Sequence, residues 1–135
     1  MCNQIERLYG KQGIHGLSVS PGVIRSGAQR YDDPKELARR VPELKNALKT
    51  TAQGAATTVW AAVAKVWEGR GALYLEDCKE GEPFALPKAL DGKPLDREAE
   101  MSWLILHGGY FPHAFDEESE KKLWDISCEM VGASG

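Results

Sequence analysis

No run of about 18 apolar residues, the length a helix needs to cross a hydrocarbon core, occurs in the chain, so no membrane span is expected. The stretch Met1 to Arg7 lacks the apolar centre of a signal peptide. Cysteine is scarce. Cys2, Cys78 and Cys128 form an odd set without Cys-x-x-Cys spacing, which argues against a disulfide framework and against a zinc site. Free thiols suit a reducing compartment, so a cytoplasmic location is expected. His15, His107 and His113 lie far apart, with no carboxylate or cysteine at ligand spacing, and no metal is expected. No G-x-S-x-G elbow supports hydrolysis. Basic residues do not cluster either: Arg39, Arg40, Lys45 and Lys49 are interleaved with Glu43 and apolar residues in a chain of net charge −3. That pattern reads as the solvated face of a helix, not a nucleic-acid surface.

What is present suits one small soluble domain. The 135 residues are 42% hydrophobic and 27% charged, within the range of globular proteins of one core. Residues 2–9 place Ile5, Leu8 and Tyr9 on one helical face, with Gly10 as the expected stop. This helix is amphipathic from its first residue and lacks an N-cap signal, so Met1 is expected to enter it midway. Residues 14–19 read as a strand bounded by Gly13 and Ser20-Pro21-Gly22, with Gly16 marking a close backbone approach. Asp32-Asp33-Pro34 signals a helix start. A short helix is expected to Arg40, and a second piece from Glu43 to Leu48.

Thr50-Thr51-Ala52-Gln53 fits a capping box. Behind it Ala52, Ala55, Ala56, Val59, Val63 and Val66 recur at helical spacing, a small-residue face expected to pack on a sheet, with Gly69 and Gly71 closing the helix. Residues 72–75 read as a short strand. Residues 79–109 show no steady period and read as a loop, with a helical or buried piece near Met101 to Leu106. Asp116 is expected to cap a last helix, with Leu123, Ile126, Met130 and Val131 as its apolar face and Gly132 as its end. Trp60, Trp67 and Trp124 read as packing residues, as do Cys78 and Cys128. Glu76, Asp77, Glu80 and Glu82 read as a solvated acidic loop. Helix, strand and glycine turn in this order form an αβ unit of a parallel sheet, yet two strands are too few for a stable open sheet.

Several stretches in order resemble the short-chain dehydrogenase/reductase family, in its retinol-dehydrogenase-like branch. Asn3 to Gly10 resembles the end of the helix that carries the family's catalytic Tyr and Lys. Gly13 to Gly22 resembles its sixth strand and the following turn. Gln53 to Thr58 resembles the helix before its last strand, Gly71 to Cys78 that strand, and Tyr110 to Glu118 its usual C-terminus. The resemblance implies an α/β fold, the C-terminal fragment of a doubly wound parallel-sheet (Rossmann-like) fold with about two strands and several helices. The whole of 1–135 is then one partial domain: helix, strand and turn (1–25), a substrate-lid-like region (26–50), helix and last strand (51–78), a loop or insertion (79–109) and a C-terminal helix (110–135).

The family's turn reads Pro-Gly-x-Val-x-Thr. Pro21 and Gly22 match it, Ile24 stands for the Val whose backbone meets the nicotinamide carboxamide, and Ser26 stands for the Thr. The resemblance therefore implies that Pro21, Gly22, Ile24 and Ser26 bind a cofactor, NADP or NAD, and that the substrate is a small carbonyl or alcohol. The physics agrees: loops at the carboxyl ends of parallel strands form the ligand crevice, glycine admits close approach, and serine supplies a hydroxyl.

The chain departs from the family elsewhere. No G-x-x-x-G-x-G phosphate turn occurs. Tyr31 and Lys35 have the spacing of the catalytic pair, but Pro34 between them keeps the two off one regular helix face, so no catalytic residue is assigned. By alignment the family's Lys falls just before Met1, and a late-start product, a truncated gene or an incomplete gene model is expected. Residues 84–108 exceed the usual connection and read as an insertion or translated intron. Two readings stay open: an oxidoreductase by descent that is inactive alone, or a non-catalytic remnant or interaction module that self-associates through an exposed sheet edge.

Overall fold

The structure, a computed structural model, describes residues 1–27, 48–84, 100, 103–104 and 107–133. The expected helices between Pro34 and Leu48 lie mostly outside these residues, as do Tyr31 and Lys35.

Helix α1 spans Cys2–Tyr9. Gly10 does not stop it. Its φ of −55° stays helical and the chain continues as a 3₁₀ turn over Gly10–Gln12, ending at Gly13 with φ 82°. The glycine that takes the left-handed conformation is the one that terminates the helix. Strand β1, Leu17–Ser20, starts later than the sequence suggests. Gly16 leads into it as a close approach, since a Cβ there would lie 3.0 Å from the Cys2 carbonyl oxygen.

Helix α2, Thr51–Val63, carries the expected capping box. The Gln53 N–H donates to Thr50 Oγ1 at 3.2 Å, and the Thr50 N–H donates to Gln53 Oε1 at 2.8 Å. Its end falls earlier than expected: Ala64 is extended, and Lys65–Trp67 form a separate 3₁₀ turn. The packed face is also different. Gly54 and Thr57 are buried, whereas the alanine/valine stripe is exposed, Val63 by 73%. At 100° per residue the stripe lies opposite Gly54, Thr57 and Ala61, so only one side of an all-round apolar helix meets the described sheet. Trp60 and Trp67 do pack, edge to face at 4.7 Å, with the Arg70 guanidinium 4.9 Å from the Trp67 ring centre.

Strand β2, Leu73–Glu76, pairs parallel to β1 with Leu17 opposite Leu73 and Ser20 opposite Glu76. A third strand was not expected. Asp77 and Cys78, at φ 48° and 54°, make a two-residue turn into β3, Lys79–Glu80, antiparallel to β2. Positive φ at both central residues is the signature of a type I′ hairpin turn. Cys78 is therefore exposed at a turn and not a packing residue, and its N–H donates to the buried Thr57 Oγ1 at 3.1 Å. The sheet order is β1-β2-β3, and the fold is α/β with a mixed sheet.

Helix α3, Glu117–Val131, is capped by Asp116, which accepts from the Ser119 N–H at 2.9 Å, and is closed by Gly132 at φ 67°. It docks on α1 through polar groups. Asn3 Nδ2 donates to the Ala114 carbonyl at 3.1 Å and to Glu120 Oε1 at 2.5 Å, Arg7 pairs with the buried Glu120, and Tyr9 packs on Trp124. The expected apolar face is instead exposed, Met130 by 83%. Among the described residues the buried apolar side chains are Leu75 and Trp67, a thin core. No helix among the described residues is long and apolar enough to cross a membrane.

Candidate functional site

Side chains alternate along a strand. Because Ser20 pairs with Glu76 and Ser18 with Tyr74, serines 18 and 20 share one sheet face with Tyr74 and Glu76. Leu17, Val19, Leu73 and Leu75 take the other. The polar face ends in a cavity of about 440 Å³ at the carboxyl ends of both parallel strands, with Ser20, Gly22, Lys49, Tyr74, Glu76 and Gly109 in its wall.

Gly22 holds φ 72°, a conformation glycine adopts without cost, and its N–H donates to Ser20 Oγ at 3.3 Å. The chain then pairs with the entry to α2. The Lys49 N–H donates to the Val23 carbonyl and the Arg25 N–H donates to the Lys49 carbonyl, both at 2.9 Å. In this parallel bridge the N–H and C=O of Ile24 point away from Lys49. The Ile24 side chain packs on Gly54 of α2. Lys49 lays its ammonium against Gly22 and pairs it with Asp77 Oδ1.

The opposite wall is held by a carboxylate. Glu76, 7% exposed, is not part of a solvated acidic loop as the charge run suggests: both of its oxygens accept from the Gly109 N–H at 2.9 Å. Gly109 is brought there by a bridge between Pro83 and Tyr110, in which the Phe84 N–H donates to the Tyr110 carbonyl at 2.6 Å. A smaller space of about 120 Å³, next to Trp103 and His107, shares the Glu76 wall. Trp103, in the stretch read from the sequence as a helical or buried piece, is helical and half-buried and stacks on His107 at 3.7 Å.

Burial pushes the Tyr74 phenol above its ordinary range. A hydrogen bond with Ser20 opposes that shift, and the Glu76 and Asp77 carboxylates add to it. A phenol shifted in this direction stays protonated at neutral pH and is a poor general base.

Of the four residues assigned from sequence, Gly22 lines the cavity, Pro21 precedes it in the exposed turn, Ile24 anchors the turn to α2, and Ser26 is exposed farther along the same segment. Lys49, Tyr74, Glu76 and Asp77 were not assigned. Tyr74 and Glu76 carry a signal in hindsight, since they alternate with Leu73 and Leu75. Lys49 carries none, because its place depends on a contact 27 residues away in sequence, with Gly22.

The cavity is large enough for a small organic ligand or part of a larger one. Its donors are the Lys49 ammonium and the hydroxyls of Ser20 and Tyr74, and its acceptors are Glu76 and Asp77. Among the described residues no group of three His, Cys, Asp or Glu side chains is placed to hold a metal.

No family model matches the chain, and no solved structure does. Curated proteins do match. The chain is 45% identical to the short-chain dehydrogenase/reductase prx1 of Penicillium rubens over 99% of its own length and 35% of that protein's. It is 35% identical to the oxidoreductase calI of Penicillium decumbens, over 98% of its length and 36% of that protein's. It is 28% identical to retinol dehydrogenase 12 of Bos taurus, over 94% and 31%. The chain thus spans about a third of the length of these relatives. With nearly every residue aligned to proteins of one kind, and a Pro-Gly turn closing a parallel strand pair over a polar cavity, this chain belongs to the short-chain dehydrogenase/reductase family, corresponding to the C-terminal portion of its relatives.

Proposed function

We propose that the chain forms the nicotinamide side of the pocket of an NAD(P)-dependent oxidoreductase that interconverts carbonyls and alcohols. The observation that carries this reading is the Pro21-Gly22 turn at the carboxyl ends of two parallel strands, opening on the cavity. The residues fit such a group. Gly22 has no side chain to bar its approach, the peptide groups of Ile24 are directed away from Lys49, and Ser20 and Lys49 provide donors. The bound cofactor supplies hydride chemistry. The chain's own part is to bind and orient, with the Ile24 backbone toward the carboxamide and the Ser26 hydroxyl beside it; the substrate-lid-like region read from the sequence, 26–50, lies mostly outside the described residues. Proton transfer is not assigned to Tyr74, whose phenol is held protonated. On this reading the chain binds cofactor but does not turn it over alone.

Titrating the chain with NADPH and with NADH, followed by amide chemical shifts, tests the reading. Saturable shifts at Gly22, Ile24 and Ser26, without oxidation of the nucleotide in the presence of a carbonyl compound, are expected. No shift at these amides overturns cofactor binding, and turnover overturns the claim of catalytic incompleteness.

A second reading is supported by a different observation. Among the described residues β1 is paired on one side only, and the Ala/Val face of α2 is exposed. An interaction module that binds a second copy of the chain through this edge would cover the open side of β1. Size-exclusion chromatography separates the two: a defined dimer favours the module and a monomer counts against it.

A further inference from the structure

We infer that Lys49 is a specificity residue for the cofactor's nicotinamide-side phosphate, with Asp77 as the internal carboxylate that competes for its ammonium. The inference rests on the cofactor reading above. Three observations lead to it.

The first is position. Backbone bonds on both sides, to Val23 and Arg25, fix Lys49 directly before the cap residue of α2. Its side chain crosses the Pro-Gly turn so closely that a Cβ on Gly22 would lie 2.5 Å from Nζ. The space beside Gly22 that a side chain would fill is therefore taken by the Lys49 ammonium, which a ligand approaching the turn meets first. The second is charge. Among the described residues that line the cavity, Lys49 is the one cation, set against Glu76 and Asp77. Glu76 is engaged on the far wall by the Gly109 N–H, and Lys49 pairs with Asp77. The third is exposure. Asp77 is 58% exposed on a hairpin turn, whereas the Lys49 side chain is 25% exposed. An ion pair with so wet a carboxylate is weakly held. A phosphate in the cavity is less wet than the exposed Asp77 carboxylate and offers more acceptor oxygens, so the ammonium swings from Asp77 to the ligand at little cost.

A structural ion pair and a competing one differ in what its two halves do when removed. If the pair only braces the turn, loss of either partner weakens ligand binding in the same sense. If Asp77 competes with the ligand, loss of Lys49 weakens binding and loss of Asp77 strengthens it. Asparagine tolerates the positive φ of the turn, so Asp77→Asn removes the charge while keeping the hairpin.

The test is calorimetric titration of the chain with nicotinamide mononucleotide and with nicotinamide riboside, which lacks the phosphate. Lys49→Met is expected to weaken mononucleotide binding about fivefold, the scale of one charge-assisted contact at a half-exposed site. Riboside binding is expected to be unchanged. Asp77→Asn is expected to tighten the mononucleotide two- to fivefold, again with no change for the riboside. Lys49→Arg, which keeps the charge, should retain at least half the wild-type affinity and serves as the folding control. If the two charge-removing variants shift affinity in the same direction, or the riboside loses as much as the mononucleotide, the role of Lys49 is refuted while cofactor binding stands. If neither probe binds the wild-type chain, the cofactor reading itself fails, and Lys49 with it.

Discussion

Replacing Gly54 by alanine isolates the contact that holds the Pro-Gly turn to α2. In an ordinary helix interior this change stabilises by about 1 kcal/mol, because alanine loses less backbone entropy. Here the added methyl enters the Ile24 side chain, with Ile24 Cγ1 2.6 Å from the new Cβ and Cδ1 closer still. Overfilling a packed contact costs about 1–3 kcal/mol. With a mid-range cost of about 2 kcal/mol, the net change is a loss of about 1 kcal/mol. The sign should reverse once Ile24 is trimmed. Ile24→Ala alone costs about 2 kcal/mol, the low end for a large-to-small change, since Ile24 is half-buried. In that background Gly54→Ala should stabilise by about 1 kcal/mol, giving a coupling of about 2 kcal/mol between the sites. Urea unfolding of the four chains, followed by far-ultraviolet circular dichroism, measures it. Equal effects of Gly54→Ala in both backgrounds would refute the claim that Ile24 is seated against this glycine.

Three further outcomes follow from the same geometry. Glu120→Ala removes the buried acceptor shared by Asn3 and Arg7 at the α1–α3 contact and should cost about 2 kcal/mol in urea unfolding, below the full penalty of a buried pair because Arg7 is 38% exposed and Asn3 keeps its bond to the Ala114 carbonyl. Faster amide exchange should be confined to α3. The Asp116 carboxyl is held below its ordinary value, first by its hydrogen bond with the Ser119 side chain and then with the Ser119 backbone. Its contribution is therefore complete above the ordinary carboxylate value and is lost as pH falls through the lowered one. Asp116→Ala should lower stability at neutral pH and flatten the acid limb of the stability curve. Tyr74 behaves in the opposite way: with its folded value raised, its contribution persists below the ordinary phenol range and fades as pH rises through the higher value. Absorbance at 295 nm should show a late-titrating component that Tyr74→Phe removes.

The parts that could be read from the sequence are those fixed by near neighbours. The capping box places the start of α2 at Thr51 because both of its bonds span three residues. The caps Asp116 and Gly132 bound α3 in the same way. The strands were found but shifted at their starts, because where pairing begins depends on the partner strand: Leu17 starts β1 because Leu73 lies opposite. Burial was less legible. The regular Ala/Val stripe on α2 suggested the packed face, yet Gly54 and Thr57 are the residues that meet the rest of the structure. A glycine and a threonine give little hydrophobic signal, and their burial is set by Ile24 and by the Cys78 N–H. At the site, Gly22 was evident from the Pro-Gly turn. Lys49, Asp77 and Glu76 are charged residues, which on sequence alone read as solvated, and only the pairing of distant segments brings them to one cavity.

The two-residue strand β3 has a consequence for how this sheet grows. Its length and tight return leave little backbone for a further strand on that side. Among the described residues, extension is therefore directional: a new strand is best added beside β1, whose carboxyl end carries the Pro-Gly turn. A strand aligned there in parallel would deliver its own terminal residues next to Gly22. Addition of a strand on this side would therefore act on the sheet and on the pocket together.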